Sequence, residues 1–82
     1  MKAKYMPKTL RGKLAHLVEE CGEVLAAVGK SMRWGLHSVN PELPPSKQES
    51  NATWLLREMD DVEKAIRIVR LALEKQYMED VT

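Results

Sequence analysis

The sequence predicts an all-α fold: two long antiparallel helices joined by a Pro-rich loop, assembling into a four-helix bundle by oligomerisation. Three observations predict it. Leu, Ala, Glu, Lys and Met dominate the composition, Phe is absent and β-branched runs are scarce, which favours helix over strand. Two long stretches repeat apolar residues at helical period, and the segment between them carries Asn40-Pro41 and Pro44-Pro45, which forbid continuous helix. Each apolar stripe is wider than one facing helix can cover, so self-association is the simplest way to bury it.

Taken in order, residues 1–7 read as an irregular lead-in ending at Pro7, and Thr9 is the candidate N-cap. The first helix is expected over about 9–33. On a helical wheel Leu10, Leu14, Leu17, Val18, Cys21, Val24, Leu25, Val28 and Met32 fall within roughly 120° of arc, a wide core stripe. Gly22 marks a place where another backbone or a ligand comes close. Residues 34–50 form the loop, long for a helical hairpin, and read equally as a binding loop or lid and as a flexible linker. Ser50 or Asn51 caps a second helix expected over about 51–77. Its stripe is Leu55, Met59, Val62, Ile66, Val69 and Leu73, and the tail after Tyr77 is expected to fray.

With 82 residues the chain forms a single domain, 1–82, with a modest core that needs a metal or a partner copy for support. The one cysteine allows no internal disulfide; Cys21 reads as a small buried hydrophobe in a reducing compartment. A net charge of +1 disfavours a nucleic-acid partner. No apolar run approaches the roughly 20 residues that span a bilayer, and no apolar stretch follows the basic N-terminus, so the expected location is cytoplasmic.

Charge placement carries the functional argument. On the second helix Asp60, Glu63, Lys64, Arg67, Arg70 and Glu74 occupy an ordinary solvated arc. Glu58 and Asp61 do not: Glu58 sits beside Val62 and Val69, and Asp61 lies among Trp54, Ala65, Ile68 and Ala72. A carboxylate with apolar neighbours on both sides is costly to desolvate unless it is paired or ligates a metal. On the first helix Glu19, Glu20 and Glu23 lie largely opposite the Leu stripe, and alone they read as a solvated face. The small residues Ala15, Gly22, Ala26 and Ala27 flank them, however, and three like charges within about one turn repel. Carboxylates from two facing helices, with no Cys or His set, suit a hard cation such as Mg²⁺ or Mn²⁺.

Glu19-Glu20-Cys21-Gly22-Glu23, followed by Glu58-Met59-Asp60-Asp61, resembles the E-E-x-x-E … E-x-x-D signature of the all-α nucleoside triphosphate pyrophosphatases, in particular their small MazG-like members. The resemblance spans roughly residues 10–75. It implies Mg²⁺-dependent hydrolysis of a nucleoside triphosphate to monophosphate and pyrophosphate; the expected homo-oligomer, dimer or tetramer, follows from the stripes. It also implies that Glu20, Glu23, Glu58 and Asp61 ligate the metal, while Glu19 holds a second metal or orients the attacking water. The Pro-rich insertion and the short tail depart from the simplest family pattern.

Lys30, Arg33 and Trp34 close the first helix. They are candidate substrate contacts, the cations for phosphate and the indole for a base; the other reading is that the cations complement the helix dipole while Trp34 packs on the core. Trp54 reads as core, and His16 and His37 as surface residues or neighbours of the ligands. The alternative function is a non-catalytic helical interaction module whose acidic clusters make interhelical salt bridges.

Overall fold

Thr9 opens the first helix as expected: its hydroxyl accepts from the Gly12 backbone N–H at 3.0 Å. The computed structural model describes residues 7–81, so the lead-in before Pro7 and the final Thr82 lie outside the described residues. Helix α1 spans Leu10–Trp34, within a residue of expectation at its end. Gly35 stops it, adopting φ 98°, a conformation that L side chains rarely tolerate.

The connection is hydrogen-bonded along much of its length and is neither a free linker nor a detached flap. Val39 and Ser50 form an antiparallel bridge, and Pro45–Lys47 make one 3₁₀ turn. The Asn40 side chain accepts from the Glu42 N–H, and the Gln48 amide donates to the Leu43 carbonyl. Asn51 fastens the strap to α1: its side-chain amide donates to the Gly35 carbonyl at 2.9 Å, and its backbone N–H donates to the Ser38 carbonyl.

Helix α2 spans Asn51–Val81. Ser50 caps it by accepting from the Thr53 N–H at 3.1 Å. The expected end near residue 77 is too early. No Gly or Pro follows Tyr77, and Gln76 donates across one turn to Asp80 at 3.0 Å, so the helix continues to Val81.

The seam between α1 and α2 corrects the expected core. It does not run along the Leu stripe of α1. The buried residues of α1 are His16, Glu20 and Ala27, a line rotated about 120° from the centre of the stripe on the helical wheel. Those of α2 are Glu58, Ala65 and Val69. Ala27 and Ala65 are fully covered, so the helices approach closely through small side chains. The stripe is left outside: Val18, Leu25 and Met32 are 72, 71 and 83% exposed, and on α2 Met59, Ile66 and Leu73 are exposed as well. Cys21, expected to be buried, is exposed for the same reason. Among the described residues a Cβ added at Gly22 would meet nothing within 4 Å, so the close approach expected there is not made by them.

The hairpin is a slab one helix layer thick, with extents of 55 × 26 × 14 Å and a radius of gyration of 16.1 Å. A globular chain of this length would have a radius of about 12 Å. Its surface is 6661 Å², against about 5000 Å² for a compact monomer of this mass.

Candidate metal centre

Helical spacing sets the site. Glu20 lies one turn after His16 on the seam side of α1, and Glu58 and Asp61 are three residues apart on the facing side of α2. One carboxylate oxygen from each of Glu20, Glu58 and Asp61 can be chosen so that all three lie within 4.8 Å of one another. Glu20 and Glu58 are 3% and 4% exposed, and Asp61 is half-buried, whereas its neighbour Asp60 is exposed. The contrast between Asp60 and Asp61 expected from the wheel is therefore present in the fold.

The two oxygens of Glu58 have different surroundings. Oε1 accepts from the Trp54 indole N–H at 3.2 Å and from the Arg57 guanidinium at 3.1 Å. The other arm of Arg57 holds Glu49, at the end of the strap, at 2.6 Å. Oε2 of Glu58 is buried with no hydrogen-bond partner among the described residues, as is Oε2 of Glu20. The remaining oxygen of Glu20 stands 3.8 Å from His16 Nε2, an ion pair only when the imidazole is protonated. His16 is thus a buried neighbour of the acidic cluster, not a surface residue.

Two ionised carboxylates at 4.8 Å repel by about 3 kcal/mol at an effective dielectric constant of about 20. Bare, buried carboxylate oxygens add desolvation cost. A hard divalent cation removes both penalties, and an all-oxygen donor set from carboxylates is what such ions take. The residues present therefore fit Mg²⁺ or Mn²⁺ on the chemistry of their donors and on the two orphaned oxygens.

Glu23 and Glu19, the other two acidic positions, are exposed. Glu23 lies outside the group of three, but its carboxyl is pushed up to about 7, first by sharing a proton with Glu58, then by burial and by the charges of Glu58, Glu20 and Glu19. When both acids are ionised that shared proton is gone and the pair only repels. Glu23 thus borders the cluster, and Glu19 lies further out.

Beyond the cluster, α1 and the strap enclose a cavity of about 550 Å³. Lys30 and Trp34 line one side, and Ser38, Asn40 and Asn51 contribute polar groups. Trp34 is 64% exposed rather than packed on a core, with the Arg33 guanidinium 5.1 Å from its ring centroid. Lys30 stands 5.5 Å from the centroid of Trp54. The three residues expected to contact substrate are therefore gathered at the cavity or beside it. Trp54, expected in the core, is half-buried and joins the cavity wall to the carboxylates. Its spacing of four from Glu58 was a readable signal for that bond. Arg57 had no comparable signal, because its partner Glu49 is brought close only by the strap.

The chain matches no protein-family model, no curated protein and no solved structure.

Proposed function

We propose that this protein is a Mg²⁺-dependent nucleoside triphosphate pyrophosphohydrolase, active as a homo-oligomer, which hydrolyses its substrate to monophosphate and pyrophosphate. One observation carries the reading: two buried carboxylate oxygens without hydrogen-bond partners, on facing helices, close on a third carboxylate. Glu20, Glu58 and Asp61 would hold the cation, with Glu23 at its border. A bound divalent ion supplies Lewis-acid polarisation of phosphate oxygens and offsets charge developing on the leaving group. Lys30 and Arg33 bring positive charge for the phosphates that extend from the site, and Trp34 offers an exposed flat face for a base. Glu19, exposed beside the cluster, is assigned to orienting the attacking water, following the resemblance of its motif. The polar lining from Ser38, Asn40 and Asn51 gives the cavity donors and acceptors for a nucleoside.

Oligomerisation is part of the proposal. The excess of roughly 1600 Å² over a compact monomer is of the size an obligate interface removes from each partner. The exposed apolar stripe of α1 and the exposed Met59, Ile66 and Leu73 of α2 offer a face for it, and a second hairpin laid there would make the four-helix bundle. That same exposed stripe favours the second reading, a helical interaction module without catalysis.

Purified protein incubated with a panel of nucleoside triphosphates and Mg²⁺ decides between them. The expected products are pyrophosphate and monophosphate, with Asp61→Asn inactive at unchanged helix content. A wild-type protein inert towards every nucleotide, with no thermal shift on adding Mg²⁺ or Mn²⁺, refutes the enzyme reading.

A further inference from the structure

The asymmetry at Glu58 has a source in two residues outside the acidic motif. Trp54 lies one helical turn before Glu58 and Arg57 lies immediately before it, and both donate to the same oxygen, Oε1. A carboxylate offers about four acceptor positions on two oxygens. Here the donors are stacked on one oxygen while the other is buried and bare. Neither donor is free to swing away. The Arg57 fork is anchored through its second arm to Glu49, and the Trp54 ring is faced by the Lys30 ammonium from the other helix.

We propose that Trp54 and Arg57 are positioning residues for the cation. They fix the Glu58 carboxylate so that Oε2 alone is presented to the cluster, and they make ligation through that oxygen pre-organised. This deepens the metal-centre reading and rests on it. A glutamate side chain has several rotatable bonds, and an unfixed one loses that freedom when it ligates. Donors to the outer oxygen of a ligating carboxylate remove the loss in advance and hold the ligand's orientation. Packing alone does not require an indole at position 54: Phe would fill similar space, and it is the N–H that reaches the carboxylate. Because Lys30 also lines the cavity, Trp54 further ties the wall of that cavity to the orientation of the ligand.

The test is calorimetric titration of the full chain with Mn²⁺ alone, without nucleotide, alongside far-UV circular dichroism. Trp54→Phe removes the N–H and keeps the ring; Arg57→Lys keeps the charge and removes the fork. The expected result is Mn²⁺ affinity weakened about 10-fold or more by Trp54→Phe, and by a smaller factor in Arg57→Lys, with helix content retained. A merely structural role would lower the metal-free melting temperature and leave the Mn²⁺ titration unmoved. If wild type binds Mn²⁺ and both variants bind within about twofold of it, the positioning role is overturned and the metal centre stands. If wild type takes up no Mn²⁺, both fall together. Should Trp54→Phe fail to fold, Arg57→Lys decides alone, an unchanged affinity overturning the proposal.

Discussion

Replacing Glu20 by Gln should make the metal-free protein more stable and the metal-loaded protein no more stable than wild type. Glu20 is 3% exposed and has one oxygen with no hydrogen bond. One of its oxygens lies within 4.8 Å of an oxygen of Glu58 and of Asp61, so full ionisation costs about 3 kcal/mol for each pair it makes. The metal-free cluster therefore carries a penalty of a few kcal/mol. Gln occupies nearly the same volume, removes two repulsions and brings an N–H that can donate to the bare oxygen of Glu58. After allowing for relaxation and the lost His16 interaction, a gain of about 2 kcal/mol is reasonable, which for a domain of this size is about 8–16 °C in melting temperature. Excess Mn²⁺ should reverse the order. A ligand at about 100 times its dissociation constant stabilises by about 2.7 kcal/mol, and the Glu20→Gln variant forfeits most of that. The assay is thermal unfolding followed by circular dichroism, in chelator and in excess Mn²⁺. A Glu20→Gln protein that melts below wild type in chelator would refute the reasoning. It would mean that the pairing of Glu20 with His16 outweighs repulsion from the other acids.

Glu23 gives the pH test. Its folded value is raised to about 7 from an ordinary 4.5, so the stability it contributes is fully present below about 4.5 and is lost as pH rises through about 7. Wild type in chelator should therefore lose stability relative to Glu23→Gln across that window, and the difference between the two melting curves, measured from acid to mildly alkaline pH, should widen upward. A flat difference would remove Glu23 from the cluster. On the outer face, Leu25→Glu is expected to shift the protein towards monomer in light scattering, because it places a charge where Leu25 is 71% exposed in the single hairpin and would be covered in the bundle. An unchanged mass would place the interface elsewhere.

The helices were legible because their boundaries are chemical. Thr9 is a good cap, Asn40-Pro41 and Pro44-Pro45 break the run, and Ser50 starts the next helix. Where such markers are lacking, as after Tyr77, the expected end was wrong. The burial of Glu58 and the half-burial of Asp61 were legible because a wheel places a residue relative to its own neighbours. Which face of α1 meets α2 was not. An apolar stripe records that something covers it, not what. The intrachain seam is instead made of Ala27, Ala65 and the acids, residues whose small size or charge carries no strong periodic signal. The burial of His16 was missed for the same reason. The order in the strap was invisible because it rests on single bonds, such as Asn51 to the Gly35 carbonyl, between partners far apart along the chain.

The unequal reach of α2 on either side of Glu58 has a practical consequence. From Glu58 the helix runs on to Val81, about 35 Å at roughly 1.5 Å per residue. Pro7 lies against the Lys13 and Ala72 region, part-way along that same reach. The cavity and the strap are at the opposite end, beside the start of α2. Both Pro7 and Val81 therefore lie on the side of Glu58 away from the cavity. A tether or fused domain joined beyond Val81 would be held at a distance by the helix itself. The protein could be fixed to a surface with its carboxylates and cavity still facing the solution.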